Sequence, residues 1–177
     1  MRKHKMEKKR WEGLIRNIPD FPQKGIIFRD ITPLLGDGDA FRSVVSHLAK
    51  FCPAETEMVA GIEARGFIFA AAVANQLGIG FVPIRKTGKL PHRTEVVTYD
   101  LEYGTDTLEI HQDSLSKKKN VVLIDDLLAT GGTAAAACRL LEKAGGHILK
   151  AIFLIELVNL KGREKIPACD VFTLIRF

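Results

Sequence analysis

The sequence predicts an α/β protein built on a parallel, Rossmann-like sheet with helices on its faces. Apolar runs such as 121–124 and 151–154 are continuous rather than alternating, so both faces of those strands are covered. Such runs alternate with helical segments along the chain, the pattern of strand, helix, strand. Glycines stand where the helices should stop, at Gly78 and at Gly145 with Gly146. With 177 residues, 46% of them apolar, the chain can bury one full core and is short for two. We therefore expect one domain over 11–177, preceded by a basic tail over 1–10.

The elements follow in order. Trp11, Leu14, Ile15 and Ile18 recur at helical spacing and predict an amphipathic helix that stops before Pro19. Residues 20–38 read as loop with a short extended piece at 25–30. Asp39 has the chemistry of an N-cap for a second helix burying Phe41, Val44, Val45 and Leu48. A buried strand at 58–62, a helix at 66–77 and a strand at 81–85 come next. Residues 87–111 break the period with Gly88, Pro91, Gly104 and two alternating runs, 96–102 and 107–111, which predict a mobile hairpin or hood. The strand 121–124, the alanine-rich helix 133–144 and the strands 148–156 and 171–175 complete the set.

The net charge of +5 lies wholly in residues 1–10, so residues 11–177 sum to zero. The tail is expected to be a solvated, partly frayed terminus, and no specific nucleic-acid partner is expected. Apolar stretches fall short of the roughly 18 residues that span a bilayer, so the expectation is a soluble, cytoplasmic protein without a membrane partner. Cys52, Cys138 and Cys169 lack zinc spacing and read as packed small hydrophobes. Gly61 and Gly66 have the glycine spacing of a phosphate loop, but Phe67 stands where its lysine belongs. His47, His111 and His147 show no metal spacing.

The chemistry concentrates in residues 121–133. Four apolar residues deliver the chain to the carboxyl edge of the sheet, where open α/β folds bind ligands. Ala129, Thr130, Gly131, Gly132 and Thr133 then open a helix, so amide N–H groups, threonine hydroxyls and the positive helix end converge on a site for a phosphate monoester. Asp125 and Asp126 cannot attract that anion; side by side they suit sugar hydroxyls or a divalent cation. Together they ask for a phosphorylated sugar.

This run resembles the phosphoribosyl diphosphate (PRPP) signature of the type I phosphoribosyltransferases. The resemblance extends from Ile15 to Phe177 and is most specific toward the adenine-using members, through Pro19-Asp20-Phe21-Pro22, Glu63-Ala64-Arg65-Gly66-Phe67, Gly88-Lys89-Leu90-Pro91, Leu101-Glu102-Tyr103-Gly104 and Leu160-Lys161-Gly162-Arg163-Glu164. It implies the family fold, with a small N-terminal base-binding hood and a flexible catalytic loop, and transfer of a 5-phosphoribosyl group from PRPP to adenine, giving AMP and diphosphate in purine salvage. By the same resemblance, 129–133 cradle the 5′-phosphate and Asp125 and Asp126 face the ribose. Arg65, Lys86 and Lys89 take the diphosphate; Glu63-Ala64 matches an unusual cis peptide. Ile27, Phe28, Arg29 and Leu127 hold the adenine, and Glu102 is the catalytic glutamate. Mg²⁺ is expected through substrate oxygens and water rather than a protein cage, and a homodimer is expected, with 160–165 near its interface.

Two other readings follow from the same residues. One keeps the fold and changes the base to hypoxanthine, xanthine or orotate. The other is a PRPP-sensing regulator that binds nucleic acid, suggested by the fold and the basic tail. It predicts a charged face on the folded body; the neutral sum over 11–177, with Lys89 and Glu102 present, favours catalysis.

Overall fold

The computed structural model describes residues 2–100, 104–115, 119–166 and 169–177, and the side chains from residue 6 onward within these. The chain divides into two compact units, residues 1–47 and 48–177.

The first unit opens with helix α1 (Arg2–Gly13). Its last turn buries Trp11, whose ring meets His47 edge to face at 4.7 Å. The basic segment is thus continuous with a helix, and Arg10 pairs with Asp37 at 2.9 Å. The helix expected over 11–18 ends instead at Gly13: Leu14 and Ile15 donate to Trp11 and Glu12 in a tight turn. Strand β1 (Arg16–Pro19) then pairs antiparallel with β2 (Ile27–Asp30), Ile18 opposite Phe28. A short helix α2 (Thr32–Gly36), with Pro33 in its first turn, precedes α3 (Gly38–Lys50). The cap of α3 is Asp37 rather than Asp39, because its Oδ1 accepts the N–H groups of Asp39 and Ala40 at 3.1 and 3.0 Å. Val44, Val45 and Leu48 form the buried face of α3 as expected, and Phe41 is half-buried.

The second unit is a seven-stranded sheet in the order β5-β6-β4-β3-β7-β8-β9. Strands β3 (Met58–Ile62), β4 (Gly80–Lys86), β7 (Asn120–Leu128), β8 (His147–Glu156) and β9 (Asp170–Arg176) run parallel. Helices α4 (Arg65–Leu77) and α5 (Gly132–Lys143) connect them. Val121, Val122, Leu123 and Ile124 are all fully buried, which is why that run carries no alternation. Gly78 closes α4 with a left-handed φ of 68°. The broken-period segment forms an antiparallel hairpin, β5 (Thr94–Asp100) and β6 (Thr105–His111). It joins β4 at two residue pairs, Arg85 with Glu109 and Lys86 with Leu108. Cys138 is buried and Cys52 and Cys169 half-buried, all as free thiols. Among the described residues, no helix is long and apolar enough to cross a membrane.

Candidate active site

Strands β3 and β7 lie side by side, Gly61 opposite Ile124, so their carboxyl ends open on one point of the sheet edge. A cavity of about 320 Å³ sits there, lined by 62–65 after β3, by Lys86 at the end of β4, and by 125–134 of β7 and the head of α5. It brings together Arg65, Lys86, Asp125, Asp126, Leu127 and the whole small-residue turn from Ala129 to Thr133.

Strand β7 runs to Leu128, so both aspartates belong to it and point to opposite faces. Asp125 is half-buried and Asp126 is 5% exposed. Burial and the charge of Asp126 push the Asp125 carboxyl well above the ordinary carboxylate range. Burial also raises Asp126, against the pull of Arg65. Arg65 Nη2 stands 2.7 Å from Asp126 Oδ2 in a charge contact that is not aligned as a hydrogen bond, so this buried oxygen keeps its accepting capacity. Asp125 Oδ1 accepts the N–H of Asp126 at 2.9 Å. Gly66, at the head of α4, lets that carboxylate approach: a Cβ there would lie 2.4 Å from Asp125 Oδ1.

The turn is shaped by two glycines. Gly131 has φ of 80°, in the left-handed region, where a Cβ would also lie 2.2 Å from the carbonyl oxygen of Gly162. Helix α5 starts at Gly132, and Ala135 donates to Gly131 O at 2.9 Å. By helix geometry the amides of Gly132, Thr133 and Ala134 have no carbonyl partner within the helix, leaving the helix end a candidate anion site.

A basic cluster borders the cavity. The Glu63–Ala64 peptide bond is cis, as the resemblance implies. Glu63 accepts Arg85 Nε at 2.8 Å and Lys89 Nζ at 2.5 Å. Burial alone would raise Glu63, but those two bonds outweigh it and hold the carboxyl below its usual value. Lys89 is therefore tied to a residue of the cavity wall without lining the cavity itself. Buried Glu109 holds the same turn by accepting the N–H groups of Lys89 and Leu90, both at 2.9 Å. Lys86 pairs with Asp106.

The remaining expected residues fall elsewhere. Ile27, Phe28 and Arg29 lie on β2 in the first unit, where Ile27 is 51% exposed, Phe28 meets Phe21 edge to face at 5.2 Å, and Arg29 bonds Asn17. Glu102 lies outside the described residues. Sequence reasoning did not single out Glu109, Tyr99, Asp106 or the support that Gly162 gives the turn. Only Asp106 had a visible signal, since it is an acid on the strand face that Leu108 and Ile110 make apolar.

A model of the phosphoribosyl transferase domain matches residues 35–176. The adenine phosphoribosyltransferase of Christiangramia forsetii is 53% identical over 167 residues, covering 94% of this chain and 98% of the relative. The chain belongs to the adenine phosphoribosyltransferase family. The crystal structure of the adenine phosphoribosyltransferase from Thermoanaerobacter pseudethanolicus superposes with a TM-score of 0.93 at 50% identity, covering 96% of this chain and 99% of that one. The Saccharomyces cerevisiae enzyme, solved with an imino-altritol bisphosphate and adenine, gives 0.90 at 38% identity, with 96% and 99% covered. The expected α/β fold with a mostly parallel sheet is the fold of these relatives.

Proposed function

We propose that this chain transfers the 5-phosphoribosyl group of PRPP to adenine, releasing AMP and diphosphate, as a purine-salvage enzyme. One observation carries the reading: a single cavity joins an anion-binding helix start, two adjacent aspartates and two cationic side chains, Arg65 and Lys86. Each part of PRPP then has a matching surface. The 5′-phosphate takes the amides and hydroxyls of 129–133. The ribose hydroxyls take Asp125 and Asp126, whose affinity for protons is raised chiefly by burial.

Breaking the bond between the anomeric carbon and diphosphate builds positive charge on the sugar ring and negative charge on the leaving group. The aspartates face the first charge; Arg65, Lys86 and Lys89 neutralise the second, Arg65 through paired hydrogen bonds. Of the carboxylates in the cavity wall, Glu63 is taken by Arg85 and Lys89, while Asp125 and Asp126 fit a magnesium ion held mainly by substrate oxygens and water. Such an ion supplies further charge neutralisation on the diphosphate.

For the base, Phe28 is the candidate stacking face, main-chain groups at Ile27 and Arg29 the candidates for its polar edge, and Leu127 a candidate apolar wall. Glu102 is the candidate group that accepts the proton shed as a ring nitrogen attacks. We propose a cytoplasmic homodimer; the dimer is supported by exposed apolar Leu160, within the segment that the resemblance sets near an interface, and Val158 just before it.

Incubating the protein with PRPP, Mg²⁺ and each base in turn, and following diphosphate release, tests the assignment. Adenine should be consumed well ahead of hypoxanthine, guanine and orotate. Turnover of another base with adenine ignored would overturn it.

A further inference from the structure

The cavity wall contains two groups that have different tasks in the reading above, Thr133 at the phosphate turn and Lys86 on the diphosphate side. They are joined behind the wall. Thr133 Oγ1 donates to the Tyr99 hydroxyl at 3.2 Å, and that hydroxyl donates to Asp106 Oδ2 at 3.2 Å. The same carboxylate oxygen holds the Lys86 ammonium. Tyr99 and Asp106 sit directly opposite one another across the β5–β6 hairpin, so the backbone register itself brings the link together. Neither lines the cavity. Tyr99 is 6% exposed and Asp106 half-buried, so the middle of the link is sheltered while its Lys86 end reaches solvent.

Lysine is a compact charge on a flexible stem, and its ammonium is useful at a fixed point only when something fixes it. Asp106 supplies that point, and a second oxygen of Asp106 is itself anchored by the N–H of Thr107 at 2.8 Å. A hydroxyl has one hydrogen to donate. A phosphate in the turn competes for the hydrogen that Thr133 gives Tyr99, and a diphosphate competes for the ammonium that Asp106 holds. Bonds in such a chain polarise one another, so a change at one end is felt at the other.

We propose that Tyr99 and Asp106 are positioning residues that set Lys86 for the diphosphate and couple its setting to occupation of the phosphate turn. The proposal rests on the PRPP reading of the cavity.

A double-mutant cycle with Lys86 tests it. Tyr99→Phe removes only the hydroxyl and keeps the ring, and Asp106→Asn removes the charge at constant size. Each should raise KM for PRPP by about tenfold, the scale of one hydrogen bond in a charged network, with a smaller change in kcat. In a Lys86→Met background, either substitution should change that KM by less than about twofold, because its effect runs through the missing ammonium. Calorimetry of inorganic diphosphate with Mg²⁺, on the same proteins, should give the same pattern and does not depend on which base is transferred. Equal effects with and without Lys86, or a Tyr99→Phe protein with the parent KM and diphosphate affinity, would overturn the proposal. Lys86→Met binding diphosphate as the parent does would overturn both this proposal and the diphosphate role of Lys86. Failure to use adenine with the diphosphate cycle intact would count against the substrate assignment alone.

Discussion

Substituting Gly162 by alanine tests the shape of the phosphate turn from a position about thirty residues away in the chain. A Cβ at 162 would lie 2.3 Å from the carbonyl oxygen of Ala129 and 3.0 Å from the amide nitrogen of Gly131. Carbon and carbonyl oxygen sit comfortably at about 3.4 Å, so the two segments must part by about 1 Å. Both partners are backbone atoms, and no side-chain rotation relieves the contact. Overpacking of this kind costs about 1–3 kcal/mol of stability. A misplacement of about 1 Å in a binding group lowers turnover by up to about 10²-fold. Gly162→Ala should therefore lower kcat/KM for PRPP by one to two orders of magnitude, with a modest fall in Tm. Steady-state kinetics at varied PRPP and a thermal melt read the two effects separately. The control is Gly146→Ala at the far end of α5, whose nearest clash at 2.9 Å is the movable Leu115 Cδ1; it should cost stability and leave KM alone. A Gly162→Ala protein with the parent kcat/KM and a lowered Tm would refute the reasoning, since the strain would then be absorbed outside the turn.

Three further outcomes are expected. Because Asp125 and Asp126 bind protons more tightly than ordinary carboxylates, and PRPP requires them ionised, binding should release protons and weaken as pH falls through the raised values. Calorimetry in buffers of different ionisation enthalpy should detect that release, and a buffer-independent heat would contradict it. Glu156, buried, accepts Arg163 Nε at 2.6 Å and Nη2 at 2.9 Å, and these bonds hold its carboxyl below the ordinary value against the opposing effect of burial. Its contribution is present above about pH 4.3, the ordinary glutamate value, and lost as pH falls through the lowered one. Arg163→Met should cost about 2–3 kcal/mol at pH 7 in urea unfolding and shift acid unfolding to higher pH; an unchanged acid midpoint would dissociate the pair from stability. Glu102→Ala should lower kcat by about 10²-fold or more while KM for PRPP changes little, and parent-like turnover would remove the glutamate from the mechanism.

The parallel sheet and the phosphate turn were legible because their signals are local. A continuous apolar run, two acids and five small residues are adjacent in the chain, and the cavity is lined by that same stretch. The start of the chain departs from its helical periodicity for a local reason too. Trp11, Leu14 and Ile15 keep helical spacing across Gly13, where the helix stops, and Ile18 belongs to a strand whose partner lies ten residues further on. The cap of α3 lies two residues before the expected one because Asp37 and Asp39 have the same chemistry and only the backbone geometry chooses between them. The fit of Gly162 against Gly131 and the link from Thr133 to Lys86 through Tyr99 arise from folded approach between distant segments. No pattern within a short window encodes them.

The hairpin of β5 and β6 is stitched to the parallel strands by only two residue pairs, and one stitch is Lys86 itself. Its outer strand leans instead on α5, where Lys143 reaches Glu95 at 2.8 Å and the carbonyl of Val96 at 3.4 Å. One helix thus lines the cavity with its head and braces the hairpin's base with its tail. The hairpin meets the parallel strands along a narrow seam that includes a lysine of the cavity wall, and anchors itself through Tyr99, Leu108 and Ile110 in the core.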